Sequence, residues 1–148
     1  MSGEDSDLLA IAVPSSVRVA GGVTIGAGVC ALVNGLQLLL FLLLPGMLRI
    51  VGGVALALGV ACIASGWGVV RGRFGAAICA VGAASVTALG GAAWIVYALF
   101  HGMVSLTALA LLSLSAVSIF VVTLALKDIK RIEDARARLR AQGLDGGF

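Results

Sequence analysis

The stretch Gly75-AAICAVGAASVTALGG-Ala92 decides how this chain is read. Every fourth residue from Gly75 gives Gly75, Cys79, Ala83, Thr87 and Gly91; starting one later gives Ala76, Ala80, Ala84, Ala88 and Ala92. Residues four apart lie above one another on an α-helix, so two adjacent lines of small side chains run along one helix. The stretch lies inside a run free of charge from Phe74 to Phe100. Small side chains repeating every four residues let a second backbone approach closely, which is how helices associate in lipid. The pattern predicts a helix hidden inside a membrane bundle. Its expected packing surface is Gly75, Ala76, Ala80, Ala83, Ala84, Thr87, Ala88 and Gly91.

The rest of the chain has the same character. Of 148 residues, 61% are hydrophobic and 11% charged, against roughly 45–50% and 25% in a soluble domain. Three further apolar stretches flank the first, with Arg18 and Arg49 near the starts of two of them, so the spans read as 17–44, 47–70, 74–100 and 103–126. Each exceeds the ~20 residues that cross a bilayer. Residues 1–16 form a polar segment in front; the acidic start lacks the positive region of a secretory signal, so the first span is expected to direct its own insertion. Pro14-Ser15-Ser16 reads as a helix start. Pro45-Gly46, Arg71-Gly72-Arg73 and His101-Gly102 read as turns.

The first two spans add their own glycines. Gly22 and Gly26 form a GxxxG pair, and Gly53 and Gly59 are expected to pack in the second span. Arg18-Val-Ala-Gly-Gly-Val and Arg49-Ile-Val-Gly-Gly-Val match, as do Gly28-Val29 and Gly59-Val60 at the same offset. The regions Gly21–Gly28 and Gly52–Gly59 are the expected partners of the 75–92 stripe.

From Lys127 the composition switches. Residues 127–148 read as a basic amphipathic tail with Ile129, Ile132 and Leu139 on one line, able to meet the bilayer surface or another chain. Lys130–Asp134 and Asp134–Arg138 are opposite charges four apart. With both ends inside, the inner segments hold Arg18, Arg71, Arg73, Lys127, Lys130, Arg131, Arg136, Arg138 and Arg140, and the outer turns hold Arg49 alone. Positive residues favour the cytoplasmic face. The expected fold is therefore an all-α membrane protein, a four-helix bundle of four antiparallel transmembrane helices with short turns and a cytoplasmic C-terminal helix. Its expected place is a bacterial inner (cell) membrane with both termini cytoplasmic.

Chemistry-bearing residues are sparse. No Asp, Glu, Lys or Arg lies deep in a span, although such residues are what mark ion paths and proton relays. The chain resembles small multidrug transporters in having four spans and short loops, but it lacks the first-span carboxylate on which they rely, so the resemblance ends at topology. Asn34 and Gln37, three apart, are the most polar groups inside the spans and are expected to share a face. Cys30, Cys62 and Cys79 have no metal-ligand spacing, and no His or carboxylate cluster accompanies them. No Gly-x-Ser-x-Gly elbow or phosphate loop is present. Hence no catalytic residue, metal or cofactor is expected, and nothing interleaves basic and aromatic residues as nucleic-acid binding would require.

These observations point to a non-enzymatic structural or accessory membrane protein acting through helix–helix assembly. The expected partners are the lipid bilayer, a second copy or another membrane protein, with contact of the basic tail to anionic lipid. The alternative is a small channel or transporter whose path is lined by Asn34, Gln37 and the hydroxyls of the fourth span.

Overall fold

A computed structural model describes residues 13–40, 46–102 and 106–141. They form four helices: α1 (Ser15–Leu40), α2 (Gly46–Val70), α3 (Phe74–Phe100) and α4 (Leu106–Ala141). There is no strand among the described residues. All four helices are long and apolar enough to cross a membrane. The last residues of the expected first span, 41–44, and the turn residue Pro45 lie outside the described residues, as do 103–105 and 142–148.

The turns follow from local chemistry. Gly72 (φ 68°) and Gly102 (φ 66°) take the left-handed conformation that ends a helix at low cost only in glycine. The Gly72 amide donates to Val69 O at 2.7 Å and the Arg73 amide to Gly68 O at 3.1 Å, closing α2. At the start of α1 the Pro14 carbonyl accepts from the Val17 and Arg18 amides. Ser16 does not cap there: its hydroxyl donates to Asp128 of α4 at 3.2 Å.

The tightest contact in the molecule joins α1 and α2. Gly21, Gly28 and Gly35 of α1 meet Gly66, Gly59 and Gly52 of α2, partner numbers falling as α1's rise. A methyl on Gly21, Gly28 or Gly35 would lie 2.7, 2.7 or 2.8 Å from its partner's carbonyl oxygen; on Gly66, Gly59 or Gly52 it would lie 2.9, 2.9 or 3.0 Å away. A glycine hydrogen therefore faces a carbonyl across the interface, the setting of weak Cα–H···O contacts. Three glycines spaced by seven keep to one face because seven residues are nearly two turns, with about 20° of drift. The internal match found in the sequence shifts Gly21, Gly28 and Gly35 by 31 positions onto Gly52, Gly59 and Gly66. The similarity thus coincides with the contact.

Around this pair the other helices close a ring. α1 packs on α2 and α4, α3 packs on α2 and α4, and α1 and α3 barely touch. The expected docking of the α3 stripe onto the glycines of α1 is therefore not seen; those glycines are filled by α2. On α3 the buried residues are Ala77, Ala80, Ala84, Thr87, Gly91 and Ala98. They alternate in steps of three and four rather than following a four-residue line. Each four-residue step advances about 40° around the helix, so a straight line of five residues leaves the contact face. Gly75 and Cys79 are accordingly exposed, and Ala76, Ala83 and Ala88 are half-buried.

α4 runs unbroken through Lys127 to Ala141, 36 residues in all, about 54 Å at 1.5 Å per residue. The tail is thus the far end of the fourth helix. Its apolar line is not left for a surface: Ile129 and Ile132 are 0% and 1% exposed. They join Val17, Ala20, Val69, Ala77, Ala80, Val122 and Ala125 in the main core. Ile132 also sits over Gly72, 3.3 Å from where a Cβ would be. The core is therefore built where α1 and α3 begin, α2 ends and α4 leaves its apolar run. Large residues of α4 fill the space left by alanines of α1 and α3.

The inner and outer glycines should respond in opposite directions. Gly28→Ala is expected to destabilise the protein by about 1–3 kcal/mol, because its methyl would drive the α1 and α2 backbones apart. Gly22→Ala, where a Cβ meets nothing within 4 Å, is expected to be neutral or stabilising by up to about 1 kcal/mol through helix propensity. Equilibrium unfolding of both variants in monomeric detergent micelles measures the difference.

Candidate functional site

The polar groups inside the bundle are mostly short hydroxyls, and their partners define what they can do. Thr24 of α1 is fully buried; its Oγ1 donates to Ala20 O at 2.9 Å and lies 2.8 Å from Ser118 Oγ of α4. With the threonine proton on that carbonyl, Ser118 is the donor between the two helices. Thr87 of α3 donates to Ala83 O at 2.7 Å, which leaves the Cys62 thiol of α2 to donate to Thr87 across 3.9 Å. Ser65 donates to Cys62 O at 3.1 Å. Ser85 and Thr123 likewise bond the carbonyl four residues back. Such hydroxyls satisfy themselves within their own helix and add modest interhelical bonds. Ser115 Oγ is buried without a partner.

Asn34 and Gln37 separate. Asn34 is 5% exposed, whereas Gln37 is exposed. Three residues is 300° around the helix, so the two share only an edge, and the wall of the bundle passes between them. Asn34 lies on a crevice of about 70 Å³ together with Leu58, Thr87, Gly91, Trp94 and Leu111. Its amide has no hydrogen-bond partner among the described residues. The hydroxyls of α4 are divided too: Ser115 and Ser118 face inward, Ser113 and Thr123 outward.

The expected packing residues divide in the same way. Gly59 is buried against Gly28, and Ala80, Ala84, Thr87 and Gly91 face the interior. Gly91 sits over α4, where an added Cβ would lie 3.6 Å from Leu112 N. An added Cβ at Gly22, Gly26, Gly53 or Gly75 would meet nothing within 4 Å among the described residues, and the same holds at Gly82 and Gly90. Gly35 and Gly66, which share the closest backbone contacts with Gly21, Gly28, Gly52 and Gly59, lie outside the expected packing regions, because the four-residue spacing of GxxxG does not reach them. The seven-residue spacing would have found them.

The two ends differ. At one, Trp94, Tyr97 and His101 stack in a ladder with centroid distances of 5.3 and 4.2 Å, and His101 is exposed. At the other, the Arg71 guanidinium lies 5.4 Å above the Trp67 ring. Aromatic side chains at both ends of the spans match the belts found at membrane–water boundaries. At the arginine end Arg136 of α4 reaches back, its Nη1 donating to Arg71 O at 2.9 Å. A cavity of about 470 Å³ lies between the Arg71–Arg73 turn and α4, bordered by Arg73, Phe74, Ala76, Glu133 and Arg136. No group of three His, Cys, Asp or Glu side chains converges as a metal site would among the described residues.

The Thr24–Ser118 bond can be measured alone. A double-mutant cycle with Thr24→Val and Ser118→Ala is expected to give a coupling of roughly 0.6 kcal/mol, up to about 1.7. The readout is unfolding free energy in bilayer-mimicking bicelles.

No protein-family model matches the chain, and neither a similar curated protein nor a similar solved structure was found.

Proposed function

We propose that this is a non-enzymatic multi-pass membrane protein, a structural or accessory subunit that assembles with itself or with another membrane protein. In this reading the four helices run antiparallel through a bacterial inner membrane. Both termini and the end of α4 are cytoplasmic. The positive-inside bias supports that orientation, since Arg71, Arg73, Lys127, Lys130 and Arg136 fall at one end and Arg49 at the other.

One observation carries the assembly reading. Gly22, Gly26, Gly53, Gly75, Gly82 and Gly90 lie inside helices, and an added Cβ at any of them would meet nothing within 4 Å. A helical glycine costs about 1 kcal/mol relative to alanine. Inside the bundle, Gly21 or Gly28 offsets this through backbone contact. These six glycines have no such return among the described residues. In lipid they are useful where a neighbouring helix packs against them. A transport path draws less support. Asn34 faces a small crevice, but Gln37, Ser113 and Thr123 point away from it.

The test separates assembly from folding. Gly22→Leu/Gly26→Leu and Gly82→Leu/Gly90→Leu, in purified protein reconstituted at low density, are expected to lower the oligomer fraction or the yield of a co-purifying membrane partner. Unfolding midpoints should stay near wild type. Single-molecule photobleaching and cross-linking give the stoichiometry. Native assembly in both double variants would overturn the reading.

A further inference from the structure

We infer that the 470 Å³ cavity at the arginine end is a binding site for a phosphate group, held by Arg73 and Arg136. The inference stands apart from the assembly reading, because every group it uses belongs to one chain.

The cavity opens where the Arg71–Arg73 turn meets the extension of α4, one turn below Ile132 on its helix. Two arginines, Arg73 and Arg136, border it. Neither Arg73 nor Arg136 is paired with a carboxylate among the described residues. Arg136 is held in place by its bond to the Arg71 carbonyl, while its Nε is shielded from solvent and has no acceptor. Of its five N–H donors, the structure accounts for a partner at one nitrogen only. A planar guanidinium with open donors, fixed in orientation, is the side chain best suited to phosphate oxygens.

The backbone adds to this charge. Phe74, Gly75 and Ala76 border the same space. They are the first residues of α3, whose first intrahelical amide bond is Ala77 N to Arg73 O at 3.2 Å. Arg73 is the N-cap and supplies no side-chain bond to the free amides. Gly75 presents no side chain, and nothing stands over it within 4 Å. A long helix thus begins in this cavity with unfilled donors. One carboxylate, Glu133, borders the cavity against the two guanidinia. It weakens the field without cancelling it and disfavours a second anion.

Position narrows the source of the phosphate. The turn follows directly on the apolar span of α2, and Arg71 lies over Trp67 beside it. That is the depth of lipid headgroups, so an anionic phospholipid and a soluble phosphate both reach the cavity with the same chemistry. The experiment uses the full chain in a neutral detergent. Thermal unfolding is followed with added dihexanoyl phosphatidylglycerol, with inorganic phosphate, and with chloride at matched ionic strength. At least one phosphate-bearing probe is expected to raise the midpoint where chloride does not. A response to the lipid alone assigns a headgroup, and a response to inorganic phosphate assigns a soluble ligand. Arg73→Gln is expected to weaken the effective probe about tenfold. Arg73 is exposed, and its described hydrogen bonds are backbone ones that a substitution of the side chain leaves in place, so this variant keeps the fold even if Arg136→Gln does not. Glu133→Gln should tighten binding. No midpoint shift beyond chloride, unchanged affinity in Arg73→Gln, or weaker binding in Glu133→Gln would each overturn the assignment.

Discussion

Everything in this bundle depends on how closely α1 and α2 approach. In lipid the spans gain nothing from hiding apolar surface, since the tails outside are as apolar as leucine. Association must come from dispersion contacts and polar contacts between backbones, and both fall steeply with distance. Three glycine pairs, Gly21–Gly66, Gly28–Gly59 and Gly35–Gly52, remove the side chains that would hold the helices apart. With one face committed to α2, α1 turns its other buried residues, Ala20, Thr24, Ala27 and Ala31, toward the remaining helices. Thr24 reaches Ser118 of α4 on that side. α1 is the most enclosed of the four helices, and it packs on both α2 and α4.

The bundle is asymmetric along its length. At the arginine end, Ile129 and Ile132 of α4 fill the space between the alanine-rich starts of α1 and α3, and the core is continuous. Among the described residues the core cluster does not reach the other end. The Asn34 crevice remains there, bordered by Trp94 and Leu111. The fourth helix causes this difference because it is the only one that extends past its apolar run. Its charged stretch carries Arg136 back to the Arg71 carbonyl and Asp128 to Ser16. The arginine end is therefore tied by polar contacts as well as packed, and it is also where the cavity with open donors lies.

Much of this was legible in the sequence, and the misses have physical causes. The helix α3, Phe74–Phe100, coincides with a stretch free of charge. Composition led directly to four apolar helices, since span length depends only on bilayer thickness. Which residue faces which neighbour depends on helical phase. Reading every fourth residue accumulates about 40° per step, and the GxxxG pair it picks out, Gly22 and Gly26, lies beside the contact face that Gly21 and Gly28 form. The same error drew a straight stripe on α3 where the contact alternates. Asn34 and Gln37 straddle the edge of a buried face, a distinction no single-helix pattern can make. Ile129 and Ile132 resembled a surface line because charged neighbours surround them in sequence. Their burial depends on α1 and α3 starting level with them, which is a tertiary fact.

The central claim is the register of the α1–α2 contact, and it can be observed without altering a residue. Solid-state NMR of the protein in lipid bilayers, labelled with ¹³C only at glycine Cα, reports which glycines of different helices lie together. The account predicts through-space correlations for Gly21–Gly66, Gly28–Gly59 and Gly35–Gly52, with Gly22, Gly26 and Gly53 absent from any contact between these two helices. Correlations that instead join Gly22 or Gly26 to Gly53, or the absence of any glycine contact between α1 and α2, would contradict it.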